Sequence, residues 1–174
     1  MKTIFISGAT GFIGQSLVKA IDDDIRVLSR NNHPDYETVV CDFQSQFLPD
    51  NSLVGVSTVF HLAGFVNDVN NTAKMQKLYQ KVNVDATIKL AELAVKSNVK
   101  FFIFVSSVKA AGRPPFGVCA SEKNLANPKG IYGKTKREAE LKLLKIGKES
   151  GMHVSIMRPS LVYGPCAKGN IKIM

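Results

Sequence analysis

The sequence has no apolar stretch long enough to cross a membrane. Its most apolar run, FFIFVSSV at residues 101–108, has strand length and falls far short of the roughly 18–20 residues that a membrane span needs. The first residues, MKTIFISG, carry one lysine and a short apolar run that meets glycine at once, so we expect no signal peptide. A chain of 174 residues, 45% hydrophobic and 21% charged, is expected to fold as one globular domain with a sizeable core.

Cysteine is scarce as well. Cys41, Cys119 and Cys166 are scattered, odd in number and without the spacing of metal ligands. Disulfide frameworks need paired cysteines and an oxidising compartment. We therefore expect reduced thiols, no metal site and a cytoplasmic protein.

Acidic residues are outnumbered by basic ones, and the formal net charge is +9. Much of the excess lies between Lys134 and Lys148, where basic residues are interleaved with Glu138 and Glu140. No aromatic residues are interleaved there to stack nucleobases, so the pattern favours a solvated helix face over a nucleic-acid site. We predict neither a nucleic-acid nor a membrane partner.

Apolar, β-branched runs alternate with helical segments along the chain. The predicted strands cover 3–7, 25–29, 38–42, 57–63, 100–107 and 153–159, and the predicted helices cover 14–21, 72–97 and 129–150. Continuous apolar strands are typical of burial on both faces, and strand–helix alternation with short connections implies right-handed crossovers. The sequence therefore predicts an α/β fold with a doubly wound, mostly parallel sheet between two helical layers.

The stretch SGATGFIG, residues 7–14, directly follows the first predicted strand. Gly8 would allow the tight turn, Gly11 the close approach of a pyrophosphate, and Gly14 the close packing of helix on sheet. Free N–H groups at a helix start favour phosphate binding. Three glycines alone are weak evidence, but a strand before them and a helix after them predict a dinucleotide site.

The end of the second predicted strand, VLSRNN at 27–32, has no acidic residue to bind a ribose and carries Arg30 instead. An arginine can fork onto a 2′-phosphate, so the pattern favours NADP, with NAD and a plain surface arginine as the alternatives. Asp42 follows the third predicted strand. It is placed either to meet the adenine amino group or simply to form a turn.

Tyr132 and Lys136 lie four residues apart in IYGKTK, on one face of a predicted helix. Any amphipathic helix could place them so. Alternatively, the lysine keeps the phenol ready to exchange a proton, because a free tyrosine with a pKa of about 10 is a poor base at neutral pH.

Seven segments in order resemble the extended short-chain dehydrogenase/reductase family, which includes nucleotide-sugar epimerases, dehydratases and 4-ketoreductases. The segments are GATGFIG (8–14), CDF (41–43), HLAG (61–64), VNVDAT (82–87), FVSSV (104–108), YGKTK (132–136) and RPSLVYGP (158–165). The chain departs from the family pattern at Gly64, where alanine is usual, and at Ala86, where glycine is usual.

The resemblance implies a catalytic set in which Tyr132 exchanges the proton, Lys136 supports it and binds the nicotinamide ribose, and Ser107 holds the substrate oxygen. It implies cofactor contacts at Gly8, Gly11, Phe12, Ile13, Gly14, Arg30, Asp42, Phe43, Leu62, Ala63, Gly64, Tyr132, Lys136 and Pro159. Three further polar residues are expected to be structural: His61 by packing, Asn83 by backbone hydrogen bonds and Arg158 by an ion pair.

The function implied by the resemblance is an NAD(P)-dependent epimerase or 4-ketoreductase that acts on a UDP-hexose-type nucleotide sugar. SSVKAAG (106–112) and LVYGPCAKGN (161–170) look closest to bacterial enzymes of surface-polysaccharide synthesis. Dehydration is the least favoured of the related reactions, since Val108 and Lys109 follow Ser107 where dehydratases usually carry Asp-Glu. The alternative function is a non-catalytic dinucleotide-binding or redox-sensing module.

Members of this family are usually much longer, and their carboxyl-terminal part supplies a substrate domain. We expect residues 1–174 to form the dinucleotide-binding domain alone, with impaired turnover of a nucleotide sugar. We also expect the last strand to form an unprotected edge, and a homodimer would cover apolar surface there.

Overall fold

The structure is a computed structural model that describes residues 2–45, 48–66, 73–119, 121–122 and 126–164. Six parallel strands form one sheet in the order β3-β2-β1-β4-β5-β6. The strands are β1 Thr3–Ser7, β2 Ile25–Ser29, β3 Glu37–Val40, β4 Val56–His61, β5 Phe101–Val105 and β6 His153–Met157. The helices are α1 Phe12–Lys19, α2 Ala73–Tyr79, α3 Ala86–Lys96, α4 Val108–Ala111 and α5 Gly130–Ser150, with a π-helical segment at Gln80–Asp85. The predicted doubly wound parallel sheet is confirmed.

The sheet is covered on both faces because its strands alternate buried side chains between two clusters. Phe5 and Phe102 point to the larger cluster, where they meet Leu90 of α3 and Leu143 of α5. Ile6, on the opposite face, packs in the smaller cluster beneath α1. Burial of one such side chain stabilises the fold by roughly 1.5–3 kcal/mol. The three-layer arrangement therefore rests on strands that are apolar on both sides.

Several predicted element boundaries are wrong by one or two residues, and the carboxyl ends of the strands matter most. The fifth strand ends at Val105, so Ser106 and Ser107 lie beyond it. The sixth strand ends at Met157, so Pro159 does not terminate it. At the other boundaries, α1 begins at residue 12 rather than 14, and the third and fourth strands cover 37–40 and 56–61. Ladder pairing stops before the polar residues that the predictions had included at these strand ends, such as Asp42, Ser106 and Arg158.

The predicted single helix over 72–97 is interrupted by the π-helical segment Gln80–Asp85. Residue 72 lies outside the described residues. A π turn widens the helix locally and is often found at functional sites. Here it carries Asn83, whose side chain points into the protein. Hydrophobic periodicity does not reveal one wider turn, so the π-helical segment could not be predicted from it.

The sequence analysis did not predict α4, a single helical turn that begins directly after Ser107. The Ser107 hydroxyl accepts a hydrogen bond from the Lys109 backbone N–H at 3.2 Å. Serine is a favoured residue at this capping position. The serine therefore fixes the start of the turn that follows β5.

Candidate functional site

A cleft of about 470 Å³ opens at the carboxyl ends of the central strands. It lies where β1 is flanked by β2 and β4, the point at which the strand order reverses and where open α/β sheets bind their ligands. Eight of the fourteen predicted cofactor contacts line it: Gly8, Gly11, Arg30, Asp42, Phe43, Leu62, Ala63 and Gly64. The structure therefore brings together residues that lie far apart in the sequence.

In the glycine turn between β1 and α1, Gly8 and Gly14 have no room for side chains. Gly8 has a φ of +80°, and a Cβ there would lie 2.7 Å from the Ala63 backbone nitrogen. A Cβ on Gly14 would collide with the Gly8 carbonyl oxygen and come within 2.7 Å of the Ala9 Cα. The roles that the sequence predicted for these two glycines agree with this crowding.

The amino terminus of α1 is open toward the cleft. Gly11 occupies the capping position, where no side chain binds the first N–H groups of the helix. These groups and the partial positive charge of the helix start favour an anion. The backbone around Gly11 therefore forms a cradle that suits a pyrophosphate.

At the other end of the cleft lie the residues that follow β2 and β3. Arg30 is exposed and lines the cleft, and no ion pair engages it within the described part of the chain. One carboxylate oxygen of Asp42 accepts a hydrogen bond from the Gln44 backbone N–H at 2.9 Å. Asp42 thus forms a turn and lines the cleft at the same time, so its two interpretations do not exclude each other.

Lys136 lies buried behind the wall of the cleft. Its ammonium donates a hydrogen bond to the Val105 carbonyl oxygen at 2.9 Å and sits 4.4 Å from the centre of the Phe104 ring. A Cβ on Gly64 would lie only 3.3 Å from Lys136 Nζ. Burial lowers the pKa of Lys136 to about 8, against the opposing effect of the Glu140 carboxylate. The ammonium is therefore within reach of a ligand that occupies the Gly64 end of the cleft.

Tyr132 is half-buried on α5, one helical turn before Lys136. Lys109 Nζ lies 5.8 Å from the centre of its ring, and Lys109 is the residue whose backbone is bound by Ser107. A chain of contacts therefore joins Ser107 to Tyr132, while Lys136 binds the strand that leads into Ser107. Of the three predicted catalytic residues, Ser107 and Lys136 lie at the carboxyl end of β5, and Tyr132 is linked to Ser107 through Lys109.

The remaining predicted cofactor contacts do not line the cleft. Phe12 and Ile13 open α1, and the Phe12 ring lies 3.6 Å from where a Cβ on Gly164 would be. The Pro159 carbonyl oxygen accepts a hydrogen bond from the Val108 backbone N–H at 3.2 Å. Pro159 is thus next to the turn that carries Ser107.

His61 is a structural residue, as predicted. Its ring is buried and stacks on Phe104, with 5.5 Å between the ring centres. Nε2 lies 2.8 Å from the Thr87 hydroxyl, which itself donates to the Asn83 carbonyl oxygen, so Nε2–H is the donor in this pair. Nδ1 then accepts from the Ser7 hydroxyl at 2.5 Å. Burial, and to a lesser extent the charge of Lys136, lowers the pKa of His61 to about 3, which keeps the ring neutral.

Asn83 also has the predicted structural role. Its side-chain oxygen accepts from the Phe65 N–H at 2.6 Å, and its side-chain nitrogen donates to the Phe65 carbonyl at 3.0 Å. This pair of hydrogen bonds holds the segment directly after Gly64. The π-helical segment thus braces the end of the cleft.

Glu140 contradicts the prediction that Glu138 and Glu140 belong to a solvated face. Its carboxylate is buried and binds Arg158 through two hydrogen bonds, at 2.9 and 2.6 Å. The predicted Arg158 ion pair is therefore confirmed, and Glu140 is its partner. The sequence held a signal for this burial, since Lys136, Ala139, Glu140, Leu143 and Gly147 follow the spacing of one buried helix face.

The described residues contain no helix that is long and apolar enough to span a membrane. They also contain no group of three or more side chains that could hold a metal ion. Cys41 is buried and Cys119 exposed, and neither is in a disulfide. Cys166 lies outside the described residues.

Comparisons with known proteins match nearly the whole chain. A profile of the NAD dependent epimerase/dehydratase family covers residues 4–173. A UDP-glucose 4-epimerase of Vibrio cholerae is 36% identical over 179 residues, which cover 97% of this chain and 54% of that protein. A ceramide reductase of Caulobacter vibrioides is 30% identical over 172 residues, or 93% of this chain and 47% of that protein.

Among solved structures, MoeE5 in complex with UDP-glucuronic acid and NAD matches with a TM-score of 0.84 and 30% identity, over 98% of this chain and 58% of that chain. The chain thus spans about half the length of the curated relatives it matches.

Proposed function

Because the chain belongs to the NAD dependent epimerase/dehydratase family, we propose that it forms the dinucleotide-binding part of a nucleotide-sugar 4-epimerase or 4-ketoreductase. One observation carries the proposal: the cleft over the glycine turn is also lined by Gly64, and a Cβ on Gly64 would lie only 3.3 Å from the Lys136 ammonium. A dinucleotide that starts at the glycine turn and fills this cleft would end beside the helix face that carries Tyr132.

The cofactor is expected to lie with its pyrophosphate at the amino terminus of α1, against the backbone of Gly11. Its adenosine would extend toward the end of β2, where Arg30 is free to bind a 2′-phosphate. We therefore propose NADP, with NAD as the alternative. The alternative is supported by MoeE5, which is similar to this chain and was solved in complex with NAD.

When bound, the dinucleotide supplies hydride transfer, and the protein must supply the proton route. The phenolate of Tyr132 would take the proton of the sugar hydroxyl during oxidation and return it during reduction. Ser107 would hold the same sugar oxygen by a hydrogen bond. The positive charge of Lys136 would favour the phenolate over the neutral phenol, since the two side chains share one helix face.

The substrate class is proposed from the relatives rather than from the cleft. The Vibrio cholerae relative is a UDP-glucose 4-epimerase, and MoeE5 was solved with UDP-glucuronic acid. The ceramide reductase shows that a protein this similar need not act on a nucleotide sugar. A UDP-hexose in surface-polysaccharide synthesis, a cytoplasmic location and a homodimer stay predictions.

The first test is cofactor binding. NADPH and NADH are titrated against the protein while nicotinamide fluorescence is followed, and at least one is expected to bind. If neither binds, both the enzyme and the non-catalytic dinucleotide-binding alternative fail.

The second test is turnover of UDP-hexoses by the full-length gene product. Tyr132→Phe should lower kcat by about 10²-fold or more while cofactor affinity stays the same. Tyr36→Phe is the matched control, because Tyr36 packs in the small cluster under α1, away from β5. If Tyr132→Phe turns over like the wild type, Tyr132 is not the proton-transfer residue. If the wild type binds the cofactor but turns over no sugar, the non-catalytic alternative is favoured.

A further inference from the structure

Two oppositely charged side chains are buried together on α5. Of the lysine, arginine, aspartate and glutamate side chains in the described residues, only Lys136 and Glu140 are buried, with 3% and 1% of their surface exposed. They lie one helical turn apart and therefore on the same face. Burial of a charge is costly unless it is paired and hydrogen-bonded. The pair therefore calls for an explanation beyond packing.

Glu140 joins three elements of the fold. It accepts a hydrogen bond from the Ser106 hydroxyl at 2.5 Å, which ties α5 to the end of β5. It binds Arg158 with both oxygens, which ties α5 to the end of β6. Arg137, which precedes Glu140 by three residues on α5, has its Nη1 atom 3.9 Å from the same carboxylate. Each carboxylate oxygen therefore has a partner, and the side chain is held in one position.

The contacts of Lys136 and Glu140 fall on consecutive residues. Lys136 binds the carbonyl oxygen of Val105, and Glu140 binds the hydroxyl of Ser106. The next residue along the chain is Ser107. The two side chains thus clamp the segment that leads into the proposed substrate-binding serine against the helix that carries Tyr132.

On the basis of the proposed function, we propose that Glu140 is a positioning residue for the reaction. It holds the Ser107 segment against α5, and it is the buried counter-charge that keeps the Lys136 ammonium positive. Glu140 acts through Ser106 and Lys136 and does not itself touch the substrate.

The charges around Lys136 make this role specific. The titratable groups on the surrounding elements are Tyr132, Arg137 and Glu140 on α5, Lys109 on α4, Arg158 after β6, Glu122, which acts on Arg158, and His61 on β4. His61 is neutral, so Glu140 is the buried anion of this group, and Lys109 and the two arginines are cations. Without the carboxylate, Lys136, Arg137 and Arg158 would form a group of three cations.

The test replaces Glu140 by Gln, which keeps the shape and removes the charge. Glu138→Gln is the matched control, since it removes the same charge from the same helix, where the carboxylate is 40% exposed and binds Lys142 and Gln80. The pH profile of kcat is measured in the full-length gene product, with dinucleotide affinity measured alongside.

Loss of Glu140 should lower the pKa of Lys136, so that the lysine loses its proton, and the enzyme its activity, at a lower pH. We expect the alkaline limb of the profile to move down by about one pH unit, with kcat at pH 8 about fivefold lower. Dinucleotide affinity and the Glu138→Gln profile should stay unchanged. An unshifted alkaline limb in Glu140→Gln would overturn the proposal.

Arg137→Met guards against a variant that fails to fold, because Arg137 makes only a long contact to the carboxylate. Removal of this cation should move the alkaline limb upward, opposite to Glu140→Gln. If the cluster had a purely structural role, the alkaline limb would stay in place in both variants. A downward shift of this limb in Arg137→Met would also refute the role of Glu140 as a counter-charge.

A readout without turnover separates this inference from the proposed function. The Lys136 ammonium is titrated by NMR in the 174-residue chain with labelled lysine. The pH at the midpoint of this titration is expected to be lower in Glu140→Gln than in the wild type and to be unchanged in Glu138→Gln. If the wild type turns over no sugar, the proposed function fails, and this titration still decides whether Glu140 sets the charge of Lys136.

Discussion

The two ends of the site differ in which groups they offer to a ligand. Around β1 and α1, glycines leave the backbone uncovered by side chains, so that backbone N–H groups can face an anion. Around β5, α5 and β6 it buries charged side chains, Lys136 and Glu140 above all, and satisfies them with hydrogen bonds. Anion binding needs only an open backbone, whereas the proton transfer proposed for the second region needs a charge that is shielded from water.

This difference predicts opposite effects of mutation on stability. Added atoms at Gly8 or Gly14 should destabilise the fold, because the space there is already filled by backbone. Removal of the lysine charge from the second region should stabilise it, because a buried charge costs free energy that its partners recover only in part. The predictions below test this contrast.

The largest effect is expected for Gly14→Ala. The new Cβ would collide with the Gly8 carbonyl oxygen and crowd Ala9, so α1 would have to move off the sheet. We expect a loss of about 3 kcal/mol or more in the free energy of unfolding, at or above the upper end for overpacking. Urea unfolding measures it.

Gly117→Ala is the control for this variant. Gly117 has a positive φ of +77°, which Gly14 does not, but nothing lies within 4 Å of the added Cβ. It should lose only about 1 kcal/mol, from backbone strain alone. Equal losses in the two variants would show that crowding in the glycine turn is unimportant.

Lys136→Met should have the opposite sign. At pH 7 we expect it to gain up to about 3 kcal/mol of unfolding free energy, which corresponds to a pKa lowered from 10.5 to about 8 on folding. Turnover should be lost. Glu140 keeps Arg158 as its partner, so the variant leaves no orphaned carboxylate.

The pH dependence of that gain follows from the direction of the pKa shift. Below pH 8 the lysine is protonated in both the folded and unfolded chain, and the full cost of burial is present. Between about 8 and 10.5 the folded chain releases the proton first, so the stability of the wild type rises with pH. The advantage of Lys136→Met should shrink over this range. A constant advantage from pH 7 to 10.5 would show that it does not come from the charge.

Gly11→Ala should separate binding from stability within the glycine turn. Its Cβ would meet only the Gly8 carbonyl oxygen, at 3.1 Å, and the φ of −77° suits alanine. The free energy of unfolding should change by less than about 1 kcal/mol. Dinucleotide affinity should fall by about tenfold, because the methyl group occupies the phosphate approach. Unchanged affinity would place the pyrophosphate elsewhere.

The smallest effect is expected for Arg30→Glu. NADPH affinity should fall by about five- to tenfold while NADH affinity changes little, since a charge-assisted contact to the 2′-phosphate is lost. Arg113→Glu, the same charge change at an exposed residue outside the cleft lining, is the control. Equal effects on both nucleotides would remove the preference for NADP.

Much of the fold could be predicted because apolar strands that alternate with helices over short connections indicate a doubly wound parallel sheet with right-handed crossovers. The glycine turn was equally readable, since its spacing reflects backbone geometry. The second region was harder. The burial of Glu140 depends on Arg158, which lies 18 residues away and on another element.

Local irregularities account for the rest. The π-helical segment that aims Asn83 at Phe65 adds one wide turn inside an otherwise regular helix. The short helix after Ser107 spans only four residues. Neither produces a periodic signal, because both are shorter than the window over which periodicity is read.

The most direct measurement is a crystal structure of the chain with an oxidised nicotinamide dinucleotide. The pyrophosphate is predicted at the first turn of α1, with the nicotinamide ribose about 3 Å from the Lys136 ammonium and the nicotinamide beside Tyr132. A dinucleotide bound away from the glycine turn, or with its nicotinamide directed away from Lys136 and Tyr132, would contradict the account.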